Sequence, residues 1–332
     1  MKLSVVILCW NDLKVIGDCL QSIYDGTHSI EFEVIVSDNG STDGTLEFIR
    51  KNFPQVRLIE NGVNLRFAKG NNVGIRASRG EYVLVLNSDT VIHEGSLEKI
   101  VAYADEHPKA GAFGCKVLYA DGSYQVSAYP FPSLRAELVA AFALRPLAYL
   151  SKWFEADLYT GWRGETEREV DWLSGCFILF RGELLKRLGG FDEQFFYYYE
   201  DVDLCRRVWC AGYQILYAPV ATIVHLCGQS TKKRLPIGFE LDKYVTRYRY
   251  YYKHHGKKGA RRCRYVTLVR LFTRRVGLGI LQLVAPNAAR EARLQLDKVA
   301  ADWNWRVDPS RLVENGEEPA LAIAPVARVM ER

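Results

Sequence analysis

The sequence predicts an α/β protein built on a mostly parallel sheet, and three observations carry this prediction. Short β-branched runs alternate with amphipathic helical stretches through residues 1–90, and the links between them are short. Such alternation is typical of a parallel sheet that helices cover on both faces. With 332 residues, 48% of them hydrophobic, the chain is also long and apolar enough to bury a large core.

The elements follow each other in a regular order. Ser4–Cys9 is a short apolar run and predicts a buried strand, and Leu13, Ile16, Leu20 and Ile23 then recur at helical spacing. Further strands are predicted at residues 33–37, 56–59 and 82–86, and further helices from residue 46 and at residues 71–78. Regular strand signals return at residues 172–181 and 214–218. Between them, residues 127–168 are rich in proline and aromatic residues, which predicts a lid or an acceptor-facing segment.

Charge divides the chain into regions of opposite sign. The net charge of +5 conceals −7 over residues 1–231, +14 over residues 232–293 and −2 over residues 294–332. We therefore predict an α/β domain at residues 1–230, a basic helical region at residues 231–314 and a flexible tail at residues 315–332. The basic region calls for an anionic partner, which can be a nucleic acid, a membrane surface or a phosphate-bearing substrate.

The sequence lacks the patterns of a membrane-spanning helix, a signal peptide and a disulfide-rich protein. No segment approaches the roughly 20 apolar residues of a membrane-spanning helix, and the N-terminus does not have the pattern of a signal peptide. The eight cysteines show no CxxC spacing. We expect a cytoplasmic protein with reduced thiols.

Polar residues follow three of the predicted strands, at residues 10–12, 38–44 and 87–89. Parallel sheets bind ligands beyond the carboxyl ends of their strands, so these positions predict a nucleotide-sized site. The alternative is that Asn, Asp, Gly and Ser are ordinary turn residues. Asp89 can hold Mg²⁺ or Mn²⁺ at such a site, because these ions take one or two protein oxygens and share the rest with water and a diphosphate. It can equally cap the next helix.

A second acidic cluster lies further along the chain. Glu200, Asp201 and Asp203 follow five consecutive aromatic residues, and a carboxylate against apolar walls can have the raised pKa of a general base. A helix N-terminus decorated with acids is the alternative. His225 follows an apolar run and is either a structural histidine or a ligand of the metal site.

These motifs resemble a known family. The chain from Lys2 to about Gly256 is similar to inverting glycosyltransferases of family 2 with the GT-A fold, most closely to the bacterial rhamnosyltransferase type. The similarity rests on seven segments in the same order as in that family, at residues 4–11, 38–44, 64–74, 86–90, 172–175, 189–204 and 225–230.

The resemblance implies a role for each of these residues. Asp201 of the Glu200–Asp201 pair matches the catalytic base, and Asp89 and His225 match ligands of Mg²⁺ or Mn²⁺. The implied nucleotide- and donor-binding residues are Trp10, Asn11, Asp38, Asn39, Arg66, Gly70, Asn71, Asn72, Asn87 and Ser88. The residues implied near the donor sugar or the acceptor are Trp172, Ser174, Gly175 and Asp192.

The sequence departs from the family pattern at two positions. Asn87 replaces the first acid of the family's Asp-X-Asp motif, which keeps an oxygen ligand but removes a charge. Arg66 stands where many relatives have glycine. Arg66 or Lys69 is expected to reach the donor diphosphate, with a solvent-facing Arg66 as the alternative.

The basic region has tyrosines at helical spacing between its arginines and lysines, followed by an apolar stretch at residues 276–284. This pattern predicts either an interfacial helix on an anionic membrane or a helical subdomain with a solvated basic side. Nucleic-acid binding is disfavoured, because no nucleic-acid-binding module accompanies the charge.

The function that the resemblance implies is metal-dependent, inverting sugar transfer to a cell-envelope glycan or a lipid-linked saccharide at the inner face of the membrane. Rhamnose from dTDP-rhamnose is the first expectation for the donor, and a UDP-hexose or UDP-N-acetylhexosamine is the alternative. A glycan- or nucleotide-binding module without catalysis is the alternative from another class.

Overall fold

The computed structural model describes residues 1–151, 153, 159–195, 198–226 and 236–314. It divides the chain into two compact units. Residues 1–131 and 161–233 form the first unit, and residues 132–160 join the second unit with residues 234–332. The tail predicted at residues 315–332 and the aromatic residues Phe196 and Tyr197 lie outside the described part.

Strands and helices alternate through most of the chain, and helices follow the last strand. The elements of the first half are β1 Leu3–Cys9, α1 Ile16–Gly26, β2 Phe32–Asp38, α2 Thr45–Asn52, β3 Arg57–Glu60, α3 Arg66–Ala77, β4 Tyr82–Asn87, β5 Thr90–Ile92, α4 Ser96–Glu106, β6 Ala110–Leu118, β7 Tyr124–Gln125, β8 Ala128–Tyr129, α5 Leu134–Ala141 and a 3-10 helix Arg145–Tyr149. Those of the second half are β9 Arg168–Glu169, β10 Trp172–Leu173, β11 Phe177–Arg181, α6 Gly182–Arg187, α7 Glu200–Cys210, β12 Gln214–His225, α8 Pro236–Val284, α9 Ala288–Arg306 and α10 Pro309–Glu314.

The main sheet of the first unit is mixed, with a parallel half. Its strand order is β3-β2-β1-β4-β11-β6-β12-β5, with β7 and β9 paired at its side. Strands β3, β2, β1 and β4 are parallel, whereas β11 runs antiparallel to both of its neighbours. Cys9 pairs with Asp38, and Leu8 pairs with Asn87, so the carboxyl ends of β1, β2 and β4 lie at one edge. The predicted fold class and the grouping of the polar strand ends are confirmed.

The strands form where β-branched and aliphatic residues are buried on both faces of the sheet. Val5, Ile7 and Leu84 are fully buried and belong to one continuous core with α1 and α4. The predicted strands agree with β1 to β4 within two residues. Helix α3 begins at Arg66, five residues before its predicted start, and α4 and β6 were not predicted. All seven cysteines that the structure describes are free thiols.

The second unit is a helical assembly built around α8. Tyr248 and Tyr250 are fully buried, and Glu137 of α5 accepts from Arg247 at 3.0 Å and from Arg270 at 2.5 Å. Gly256 interrupts α8 with a left-handed φ of 66°. The tyrosine face of the basic region is therefore a packed face within this unit. In the described part of the chain, no helix combines the length and apolarity needed to cross a membrane.

Candidate active site

The loops after β1 and β2 hold each other in place at the carboxyl edge of the sheet. Asn11 Oδ1 accepts from the Thr42 backbone N–H at 2.7 Å, and the Asn11 N–H donates to Ser41 Oγ at 2.8 Å. Asp38 is fully buried, and its Oδ2 accepts from the backbone N–H groups of Gly40 and Ser41, both at 2.8 Å. The predicted residues thus form a hydrogen-bonded rim at this edge of the sheet.

The start of α3 closes the same rim through Asn39 and Arg66. Asn39 is buried, and its Nδ2 donates to Asn64 Oδ1 at 3.3 Å and to the Arg66 carbonyl at 3.2 Å. Arg66 has a left-handed φ of 67°, which costs an L-residue about 1–2 kcal/mol. Glycine adopts this conformation freely, so a glycine at this position would remove the strain.

After Arg66, three further predicted donor-binding residues lie in the first two turns of α3, namely Gly70, Asn71 and Asn72. A Cβ on Gly70 would lie 2.4 Å from Leu8 Cδ1, so glycine lets the helix approach β1 closely. Asn71 Nδ2 donates to the Phe67 carbonyl at 3.0 Å, and its buried Oδ1 has no hydrogen-bond partner among the described residues. A buried acceptor without a partner is costly, so a partner for Asn71 Oδ1 would be stabilising.

Asn72 supports a loop of the protein itself, whereas a nucleotide contact was predicted. Its Oδ1 accepts from the Phe191 N–H at 2.8 Å, and its Nδ2 donates to the Phe191 carbonyl at 2.8 Å and to Glu193 Oε1 at 3.0 Å. A Cβ on Gly190 would lie 2.3 Å from Asn72 Oδ1. Both atoms of the amide are thus engaged in holding the loop that leads to α7.

The predicted metal ligands meet where β4 ends and β12 ends. His225 Nε2 lies 3.2 Å from Asp89 Oδ1 and 3.4 Å from Asn87 Nδ2. Within residues that the structure describes, no third His, Cys, Asp or Glu joins this pair. One carboxylate and one imidazole leave most of a cation's coordination shell to water and phosphate oxygens, the usual arrangement for a cation shared with a nucleotide.

Asp12 is a residue of this site to which no role was assigned from the sequence. It is buried, and its Oδ2 accepts from Ser88 Oγ at 2.6 Å and from the Trp10 N–H at 3.1 Å. Burial raises the pKa of Asp12, although the Ser88 hydrogen bond opposes the shift. Asp12 therefore joins the end of β1 to the turn that carries Asp89. Its signal in the sequence was its place among the polar residues 10–12 that follow the first strand.

The acidic pair Glu200–Asp201 begins α7 and has perturbed titration. Asp201 Oδ2 accepts from the Gly175 N–H at 3.1 Å, and Oδ1 accepts from the Val202 N–H at 2.8 Å. Burial raises the pKa of Asp201 from 3.8 to about 6, against the effect of these hydrogen bonds. Burial, followed by the charge of Asp201, raises the pKa of Glu200 well above its ordinary value. Burial thus disfavours the charged form of both neighbouring carboxyl groups.

The chain reaches this pair through a strained turn. Tyr198 and Tyr199 have left-handed φ values of 66° and 68°, which cost two L-residues about 1–2 kcal/mol each. Strain of this kind persists at functional sites, where the surrounding structure imposes it. It places Glu200 and Asp201 in the first turn of α7.

The remaining predicted residues lie near Gly175 or in the loop before α7. Trp172 stacks on Tyr129 with ring centroids 4.4 Å apart, and its Nε1 donates to the Pro130 carbonyl at 2.9 Å. The Ser174 N–H donates to the Ser127 carbonyl at 2.8 Å. Asp192 accepts from the Gln194 N–H at 3.0 Å and forms a local turn. Of these residues, Gly175 donates a hydrogen bond to the acidic pair.

Replacing Glu200 by glutamine is expected to stabilise the protein at neutral and alkaline pH. Because the folded state raises the pKa of Glu200, ionising this group disfavours folding, so the contribution of Glu200 to stability falls as the pH rises above about 4.5. The midpoint of thermal unfolding should therefore rise in E200Q, more at pH 8 than at pH 5. Equal midpoints of the two proteins at both pH values would show that Glu200 is not desolvated.

A sheet with polar residues at the carboxyl ends of its parallel strands defines the class of α/β proteins that bind nucleotides at that edge. A sequence profile of the glycosyltransferase-like family 2 matches residues 2–243, so the chain belongs to this family and is a glycosyltransferase.

Two curated relatives are rhamnosyltransferases by name. The N-acetylglucosaminyl-diphospho-decaprenol L-rhamnosyltransferase of Mycobacterium tuberculosis is 38% identical over 212 residues, which cover 60% of this chain and 67% of the relative. Rhamnosyltransferase WbbL of Escherichia coli is 28% identical over 204 residues, which cover 58% of this chain and 72% of the relative.

Solved structures support the GT-A fold. The mannosyltransferase PcManGT from Pyrobaculum calidifontis, solved with GDP-Man and Mn²⁺, has a TM-score of 0.55 at 19% identity, over 97% of this chain and 86% of that one. Staphylococcus aureus TarS 1-349, solved with UDP-GlcNAc, has a TM-score of 0.51 at 17% identity, over 96% and 93% of the two chains. The predicted GT-A fold is confirmed.

Proposed function

We propose that the protein is an inverting, metal-dependent rhamnosyltransferase that uses dTDP-rhamnose. Its acceptor is a cell-envelope glycan or a lipid-linked saccharide at the cytoplasmic face of the membrane. The single observation that carries the proposal is the acidic pair at the start of α7. There the Gly175 N–H donates to Asp201 Oδ2 at 3.1 Å, and burial raises the pKa of both Asp201 and Glu200.

In the proposed reaction, Asp201 accepts the proton of the acceptor hydroxyl. The acceptor oxygen then forms a bond to the anomeric carbon as the bond from that carbon to the diphosphate breaks. A single displacement inverts the centre, so no covalent nucleophile is required. The raised pKa of the Glu200 carboxyl disfavours a second negative charge beside this base.

Asp89 and His225 would hold a divalent cation together with the donor diphosphate. A bound Mg²⁺ or Mn²⁺ stabilises the negative charge of the departing nucleoside diphosphate. The 3.2 Å separation of His225 Nε2 from Asp89 Oδ1 fits one carboxylate and one imidazole ligand on a shared ion. Asn87 adds a neutral amide beside them, so the cation is expected to bind mainly with the nucleotide.

The rim formed by Asn11, Asp38 and Asn39 is assigned to the nucleoside of the donor. Within this rim, Asp38 is assigned to the nucleobase. The names of the two curated relatives support rhamnose as the sugar. A thermal-shift panel with Mn²⁺ tests the donor. dTDP-rhamnose should raise the midpoint more than UDP-glucose or UDP-N-acetylglucosamine does. A larger shift with either UDP-sugar would replace this donor assignment with the UDP-sugar alternative.

Substituting Arg66 by glycine should separate its backbone strain from its charge. Glycine removes the cost of the left-handed φ but adds chain entropy, so the free energy of unfolding should rise by no more than about 1 kcal/mol. Loss of the guanidinium should weaken nucleotide diphosphate binding about tenfold if it contacts the phosphates. Calorimetry of R66G and of K69A decides which of the two basic side chains contacts the diphosphate. Unchanged binding in R66G would mean that the Arg66 side chain faces solvent.

We also propose that the second unit contacts an anionic membrane surface. The segment of α8 after Arg270 exposes large apolar side chains among arginines, and residues 234–314 carry 18 basic and 7 acidic groups. Such a combination suits a helix lying in a charged membrane interface. The exposed apolar residues of this segment are Phe272, Val276, Ile280, Leu281, Leu283 and Val284.

Sedimentation with phosphatidylglycerol vesicles at low salt tests this surface. The wild type should sediment with these vesicles, and neutral phosphatidylcholine vesicles should bind it less. The double variant F272S/I280S removes apolar contacts, and R262E/R275E reverses two exposed charges. Both should bind less, whereas K51E on α2 of the first unit should bind as the wild type does. Wild-type protein that stays in the supernatant with anionic vesicles would refute membrane contact.

A further inference from the structure

We propose that Gln125 is a positioning residue that keeps the ring of His225 in register with Asp89, with and without a bound cation. This inference rests on the proposed role of His225 as a cation ligand. It concerns a residue outside every motif that the sequence analysis singled out, and it assigns a function to the short strand β7.

The sheet itself fixes Gln125 beside His225. Val117 of β6 pairs with Gln125 of β7 and also with Ile223 of β12. Gln125 and the end of β12 are therefore both held by β6, so their separation depends on backbone hydrogen bonds of the sheet. Gln125 Oε1 and Nε2 both lie 3.2 Å from His225 Nδ1.

The amide can serve both neutral forms of the imidazole, because it carries an acceptor and a donor. Without a cation, His225 Nε2–H can donate to Asp89 Oδ1 at 3.2 Å, and Nδ1 then accepts from Gln125 Nε2. With a cation at Nε2, the proton resides on Nδ1 and is donated to Gln125 Oε1. Rotation of the amide about its terminal bond exchanges the two atoms, while the ring stays in place.

Other side chains would serve only one form or neither. A carboxylate at this position accepts from Nδ1–H and favours the form with a free Nε2 lone pair, whereas an aliphatic side chain orients neither form. Removing the hydrogen-bond partner of a metal-bound histidine typically weakens metal binding about 10- to 100-fold. This leads to opposite expectations for Gln125→Glu and Gln125→Leu.

The first measurement is the Mn²⁺ affinity of the full chain with dTDP, read from the electron paramagnetic resonance of free Mn²⁺. Gln125→Leu should bind Mn²⁺ about 10- to 100-fold more weakly than the wild type, and Gln125→Glu should bind it at least as tightly. Gln125→Met, closer in length to glutamine, repeats the test if the leucine variant is unstable. Wild-type affinity in both the leucine and methionine variants would overturn the inference.

The second measurement reads the tautomer directly by NMR of ¹⁵N-histidine-labelled protein, with His225 assigned by its absence in His225→Asn. The wild type should carry the proton on Nε2 without metal and on Nδ1 with dTDP and diamagnetic Cd²⁺. Gln125→Glu should carry it on Nδ1 in both states. An Nε2 proton in metal-free Gln125→Glu would overturn the inference.

His225→Asn separates this inference from the proposed function. If that variant loses Mn²⁺ affinity while both aliphatic Gln125 variants keep it, only the role of Gln125 fails. If His225→Asn binds Mn²⁺ as tightly as the wild type, the cation-ligand role of His225 fails, and the role of Gln125 fails with it.

Discussion

Replacing Asp201 by asparagine is expected to lower kcat by about 10²- to 10⁴-fold, the usual contribution of a general base. The amide has nearly the same shape, and its oxygen can still accept from the Gly175 or Val202 N–H, so nucleotide binding should stay close to that of the wild type. Transfer from dTDP-rhamnose with Mn²⁺ measures the first effect, and calorimetry with dTDP measures the second.

Glu47→Gln provides the matched control, because Glu47 is an exposed acid on α2 of the same unit. Its kcat should equal that of the wild type. An Asp201→Asn protein with full activity would remove Asp201 from the chemistry. Wild-type protein that binds dTDP but transfers no sugar from any donor would instead favour a binding module without catalysis.

The second large effect is expected at Asp89 and His225, the proposed ligands of the cation. Asp89→Asn removes the only carboxylate known to lie beside His225 Nε2 among the described residues, and a cation supplies several kcal/mol of charge stabilisation. Because about 1.4 kcal/mol corresponds to a factor of ten, transfer should fall by about 100-fold or more. The Mn²⁺-dependent part of nucleotide affinity should also be lost.

Asn87→Asp is the complementary variant, since it restores the first acid of the family's Asp-X-Asp pattern. A second carboxylate beside Asp89 should tighten Mn²⁺ binding and lessen its dependence on the nucleotide. Calorimetry of dTDP binding with and without Mn²⁺ reads both variants. Equal dTDP affinity of the wild type in the two conditions would contradict the metal assignment.

The part of the site that the sequence predicted depends on local patterns. Buried strands are recognised by their apolar runs, and Asp38, Asn87 and Asp89 lie directly after or at the ends of such runs. Since parallel strands bring these ends together, the position of the site follows from the fold class. The start of α7 at Glu200 likewise follows from acids that precede a helical pattern.

The parts that were missed depend on contacts between distant segments. Asn72 bonds to Phe191, 119 residues away, and Gln125 meets His225, 100 residues away. No periodicity in the sequence reports such pairs, so neither the contact of Asn72 with Phe191 nor that of Gln125 with His225 was predicted. Contacts between distant segments also place residues 132–160 in the helical unit. Glu137 pairs there with Arg247 and Arg270, which lie 110 and 133 residues further along the chain.

The most direct test of the central claim is a transfer assay with dTDP-rhamnose, Mn²⁺ and a lipid-linked saccharide acceptor, with the product's anomeric configuration read by NMR. We expect rhamnosyl transfer with inversion in the wild type and a loss of about 10²- to 10⁴-fold in Asp201→Asn. A product with retained configuration, or equal transfer by the two proteins, would contradict the account.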